Sequence, residues 1–159
     1  MSETTDKQIE YPKKPYFNIY KPLQKADAGA ALQFSYDAFK RGIFLEAARQ
    51  NGAKLEIGSK DQFDWAGKIV FKIGVPDIGR MLLLFAGREQ VAKCLHSQNG
   101  RTSVLEITQG EYNGKPNFSL KISRTFEGKT TGTQMYLSQE EFSLLAHFVR
   151  ESLTRMMGF

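Results

Sequence analysis

FDWAGKIVFKIGVPDIGRMLLLFAG, residues 63–87, changes period in its middle. From Lys68 to Val75 it alternates: Ile69, Phe71, Ile73 and Val75 point one way, Lys68, Val70 and Lys72 the other. A period of two is that of a strand with one face on a core. Pro76 closes the strand, and IGRMLLLFAG, 78–87, then reads as a short buried helix stopped by Gly87. The strand's outer side carries lysines, with neither an acid nor a nucleophile among them.

The chain on either side extends this pattern. Residues 1–14 are polar and end at Pro12 and Pro15, which predicts a flexible tail before a single domain over 15–159. YFNIYK, 16–21, reads as a short strand, PLQKADAG, 22–29, as a loop, and AALQFSY, 30–36, as a second strand. In that strand Ala30, Leu32, Phe34 and Tyr36 share one face, and Ala31, Gln33 and Ser35 the other. GIFLEAARQ, 42–50, fits either a strand or a helix, and NGAK, 51–54, supplies a turn after it.

Four strands are expected next, in VAKCLHS, SVLEIT, NFSLKISRT and TQMYL. YNGK, 112–115, contains an Asn-Gly hairpin signal, and EGKTTG, 127–132, marks the following turn. Ser138-Gln139-Glu140-Glu141 is a capping box that opens a long helix. Phe142, Leu145, Ala146, Val149, Leu153, Met156 and Met157 recur at helical spacing there, widened by Leu144 and Phe148. So wide a stripe suits a helix that covers a sheet, with or without a second subunit on its flank. About eight antiparallel strands, with a short helix mid-chain and a long one at the end, predict an α+β domain of two four-strand halves.

At 159 residues one core can form without disulfide or metal staples. The net charge of +5 favours an anionic partner, although many basic proteins have none. The single cysteine, Cys94, cannot form an internal disulfide and suits a reducing compartment. No apolar run reaches the ~18 residues of a membrane span. The N-terminus lacks the features of a signal or transit peptide, so a cytoplasmic protein is expected.

Catalytic and metal chemistry finds little support. His96 and His147 are far apart, and neither CxxC nor HExxH occurs, so no metal or cofactor is expected. Walker and GxGxxG motifs are absent. Cys94 and His96 share a strand face and could form a nucleophile–base pair, but an ordinary buried thiol explains Cys94 better. Asp61 and Asp64 read better as a solvated turn than as an acid–base pair. Nothing argues for an enzyme. A sheet bearing Lys21, Lys68, Lys72 and Lys121 suits single-stranded nucleic acid, whose phosphates follow cations while its bases stack on aromatics. The same lysines could instead solvate an outer face or guard its edges.

Phe63-Asp64-Trp65, Lys68-Ile69-Val70-Phe71 and Pro76-Asp77-Ile78-Gly79 together resemble the Whirly family of single-stranded-DNA-binding proteins. Ile19-Tyr20-Lys21 with Gly29-Ala30-Ala31-Leu32 is similar to that family's N-terminal signature, and Gly158-Phe159 to its Gly-Trp after the last helix. Order and spacing over 16–159 carry the resemblance; no single motif is specific. It implies two four-stranded antiparallel sheets packed across each other and braced by the two helices. It also implies a homotetramer that holds single strands along sheet edges with little sequence preference. The implied contacts fall on Tyr20, Lys21, Lys25, Ala31, Gln33, Phe44, Phe63, Trp65, Lys68, Lys72 and Lys121.

The chain departs from the plant pattern Lys-Gly-Lys-Ala-Ala-Leu, because PLQKADA follows Lys21 and Gly29 stands where the second lysine would be. Lys25 is the residue placed to substitute. With no organelle leader visible, a bacterial or phage relative is expected. The fold also occurs in kinetoplastid guide-RNA-binding proteins and a eukaryotic transcriptional coactivator, so RNA binding or annealing is the alternative function. An oligomeric structural protein that binds no nucleic acid is a third. Replication, recombination or repair is the expected setting.

Overall fold

Alternation along residues 16–73 yields four strands in order along one sheet: β1 (Tyr16–Lys21), β2 (Ala30–Asp37), β3 (Gly42–Arg49) and β4 (Ile69–Ile73). Helix α1 (Val75–Phe85) follows, then β5 (Val91–Gln98), β6 (Arg101–Tyr112), β7 (Lys115–Phe126) and β8 (Lys129–Leu137) form a second sheet, also in chain order. Helix α2 (Gln139–Met156) ends the chain. All pairings are antiparallel. This computed structural model describes residues 15–23, 28–51 and 62–158. The expected N-terminal tail, the turn at 51–54 beyond Asn51, Lys25 and Asp61 lie outside the described residues.

The two inner sheet faces and both helices share one core. Leu32, Phe34, Leu45 and Phe71 from the first sheet meet Leu105, Leu120 and Ile122 from the second, with Ile78 and Met81 of α1 and Leu145 and Val149 of α2. Segment 42–50 is a strand because it is central. β2 takes its hydrogen bonds on one side and β4 on the other, and Ile43, Leu45 and Ala47 reach the core at strand period.

The β4–α1 junction differs from its expected form. Strand β4 stops at Ile73, and Val75 and Pro76 already lie in the first turn of α1, so Val75 is 53% exposed rather than part of the core. Gly74 caps the helix: its N–H donates to Asp77 Oδ2 at 3.0 Å, and its carbonyl accepts from Ile78 N–H at 3.0 Å. Proline in a helix's first turn loses no hydrogen bond, so Pro76 starts the helix instead of ending the strand. Gly87, at φ +73°, ends α1 as expected.

In the second sheet the expected strands are longer than their apolar kernels. Tight turns at Asn99-Gly100, Asn113-Gly114 and Glu127-Gly128 join them, each with both residues at positive φ. Such turns match the right-handed twist of a hairpin. The turn expected over 127–132 is therefore only two residues, and Lys129–Gly132 belongs to β8. The capping box of α2 forms: Ser138 Oγ accepts from Glu141 N–H at 3.1 Å, and Glu141 Oε1 accepts from Ser138 N–H at 2.8 Å. Of its stripe, Phe142, Leu145, Ala146 and Val149 are buried, whereas Leu144 is 56% exposed. No helix among the described residues is long and apolar enough to cross a membrane.

Candidate nucleic-acid interface

Strand register sorts the expected contact residues into rows on the outer face of the first sheet. Tyr20, Ala31 and Ala48 make one row, Asn18, Gln33, Glu46 and Val70 the next, and Tyr16, Ser35, Phe44 and Lys72 the third. Ala31 and Ala48 are small, and Phe63 lies over them with Trp65 packed alongside. The Tyr20 ring stands 6.1 Å from Phe63. Local hydrogen bonds hold this aromatic end: Asp64 N–H donates to Arg49 carbonyl at 2.8 Å, and Asp64 Oδ1 accepts from Gly67 N–H at 3.0 Å. Asp64 is thus a turn residue, as the sequence predicts.

At the other end of this face the chain forms a groove of about 640 Å³ between the β4 edge and the second sheet. Phe44, Val70 and Lys72 line it from the first sheet, and His96, Arg101, Arg124 and Phe126 from the second. Arg101 and Phe126 are register partners, and the guanidinium lies 4.9 Å from the ring centroid. Gly42 gives Lys72 its path, since a Cβ there would come within 2.8 Å of Lys72 Cε. Among the described residues, Lys72, Arg101 and Arg124 have no carboxylate partner. Unpaired cations beside aromatic faces offer an anion contact and a stacking surface together.

The groove is anchored to α1 through His96. Its ring stacks on Phe71 at 4.3 Å, and its Nε2 lies 2.8 Å from Asp77 Oδ2. Asp77 also receives the Gly74 N–H and has Arg80 at 3.6 Å, so one buried carboxylate ties β4, α1 and β5 together. His96 shares a strand face with Cys94, as the spacing implies, but its bonding partner is Asp77. Burial first, and then the Asp77 carboxylate, push the Cys94 thiol up to about 12. A thiol so held is a poor nucleophile at neutral pH.

The expected residues therefore divide. Tyr20, Ala31, Gln33, Phe44, Phe63, Trp65 and Lys72 share the outer face of the first sheet, and Lys68 stands beside it, paired with Glu46 at 2.7 Å. Lys21 has the strand parity of core residue Ile19 and pairs with Glu141 on α2. Burial pushes the Glu141 carboxyl up, but hydrogen bonds from Lys21 and Ser138 outweigh it and hold the group below its usual value. Lys121 is exposed on the outer face of the second sheet, in register with Glu106 and away from the groove. Lys25 is outside the described residues. Sequence reasoning did not single out Arg101, Arg124, Phe126 or His96. The available signal was that Arg124 and Phe126 continue the inward parity of Leu120 and Ile122 past the end of the apolar run.

No protein-family model matches this sequence, and no curated protein is similar to it in sequence. Its fold, however, is that of a class of solved α+β proteins with two four-stranded sheets. The chain is similar to Trypanosoma brucei MRP1/MRP2, with a TM-score of 0.72 and 19% identity over 92% of this chain and 88% of that one. A guide-RNA-binding protein complex bound to a guide RNA gives 0.69 and 19%, over 92% and 94%. The Whirly protein WHY1 from Arabidopsis thaliana gives 0.71 and 18%, over 93% and 88%. These identities establish a common fold, the one that the sequence motifs imply.

Proposed function

We propose that this protein binds single-stranded DNA with little sequence preference, by phosphate contacts and base stacking. The observation that carries this reading is the groove, where unpaired Lys72, Arg101 and Arg124 stand among Phe44 and Phe126 and open onto the face bearing Tyr20, Phe63 and Trp65. Cations that follow a backbone beside rings that accept any base are what sequence-tolerant single-strand binding requires. Fold likeness supports the reading without carrying it. RNA is the second reading, because one similar structure is a complex bound to a guide RNA.

The working unit is a homotetramer, serving replication, recombination or repair. Leu144 on α2 and Leu83 on α1 are apolar and exposed, which suits helix faces that meet other copies. Affinities for one oligonucleotide as single-stranded DNA, as duplex and as RNA test the ligand. Single-stranded DNA should bind most tightly; equal or tighter binding to duplex rejects the reading, and tighter RNA binding selects the second. Light scattering should report about four subunits, and a monodisperse monomer at micromolar concentration would refute the assembly.

A further inference from the structure

The β2–β3 turn, residues 38–41, holds Phe39 at 98% exposure. Single exposed apolar residues are common on protein surfaces. This one differs in its setting. Asp37 Oδ1 accepts from the N–H groups of Phe39 at 3.0 Å and Lys40 at 3.2 Å, and Arg41 takes the left-handed conformation at φ +47°. The backbone beneath the ring is therefore fixed, which lowers the entropy lost when the ring engages a partner. Lys40 and Arg41, both exposed, follow it directly.

The turn also stands at the rim of the groove. Lys40 Nζ lies 5.4 Å from the ring centroid of Phe44, and Gly42 rests against Lys72; both Phe44 and Lys72 line the groove. A strand leaving the groove over Phe44 thus meets two further cations and a fully solvated ring. Phenylalanine offers a π-face and no hydrogen bond, so it accepts any base but only one free of pairing.

We propose that Phe39, flanked by Lys40 and Arg41, is an additional contact that stacks an unpaired base beyond the groove and so favours single strands over duplex. This rests on the reading of the groove as a single-strand site. The occupant is nucleic acid rather than a second protein chain, because two cations adjoin the ring and the surface continues into the cationic groove.

The test compares the full chain with Phe39→Ala, Phe39→Leu and Phe39→Trp, using fluorescence anisotropy on a labelled oligo-dT of about 20 nucleotides and on a hairpin duplex. Phe39→Ala and Phe39→Leu should each weaken the single strand about tenfold, the lower part of the range for loss of one stacked base. Neither should change duplex binding by more than about twofold. Phe39→Trp should retain affinity. Binding of Phe39→Ala within twofold of wild type, while Lys72→Gln binds more weakly, overturns this inference and leaves the groove reading standing. Wild-type affinity in Phe39→Leu overturns stacking, and a lower mass for Phe39→Ala by light scattering assigns the ring to a second copy instead. If the wild-type chain binds no oligonucleotide, the groove reading falls and this inference with it.

Discussion

Replacing Arg101 with Gln tests the groove through salt. Lys72, Arg101 and Arg124 line it without carboxylate partners, whereas Glu141 holds Lys21 and Glu46 holds Lys68. A cation already neutralised by a carboxylate displaces few counterions from a phosphate, so only the three groove cations enter the count. At roughly −0.7 per phosphate on single strands, log K should fall against log salt with a slope near −2. Between 50 and 200 mM salt that is a loss of about 20-fold. Arg101→Gln should reduce the slope to about −1.4, a loss of roughly sevenfold over the same range, alike for poly-dT and mixed sequences. Lys68→Gln should change the slope less than this. Anisotropy titrations with labelled oligonucleotides at several salt concentrations give all three slopes. An unchanged slope in Arg101→Gln, or a larger change in Lys68→Gln, would refute the assignment of phosphate contact to the groove.

Trp65 is the only tryptophan and packs half-buried beside Phe63, so binding of a single strand should quench its fluorescence. Trp65→Ala should weaken binding by roughly 1–3 kcal/mol in a chain that circular dichroism shows to be folded, and unchanged affinity would make the residue purely structural. Cys94 should resist a thiol reagent at pH 8 until denaturant is added; prompt stoichiometric reaction of the native protein would contradict its burial. Because its pKa rises from 9.0 to about 12 on folding, the thiol's contribution to stability is present below pH 9 and is lost as pH rises through that window. Ser138→Ala removes the oxygen that accepts the Glu141 N–H and should cost about 1 kcal/mol, or about 2–4 °C in Tm, with Ser138→Asp recovering most of it. No change in Tm would show that the box contributes nothing.

Lys68–Ile73, Asn113-Gly114 and Ser138–Glu141 were legible in the sequence because each rests on a local rule: alternation, positive φ at a two-residue turn, and a side chain that reaches its own helix N-terminus. Two sheets, two helices and an aromatic, lysine-bearing outer face followed from such rules. Pro76 was ambiguous locally, since proline suits both the end of a strand and the first turn of a helix; Asp77 accepting the Gly74 N–H decides it. Segment 42–50 carried both periods until strands paired on either side of it. Whether a lysine is free was beyond local reading altogether. Lys21 meets Glu141 only because α2 docks beside β1, and Lys68 meets Glu46 only because of β3–β4 register. The groove is likewise a product of packing: Arg101 and Arg124 have core parity in their own strands, and they line a cleft because the first sheet's β4 edge, with Lys72, comes to lie across from them. Side-chain direction is a property of a strand, but the company a charge keeps depends on elements distant in sequence, and only the tertiary fold brings those together.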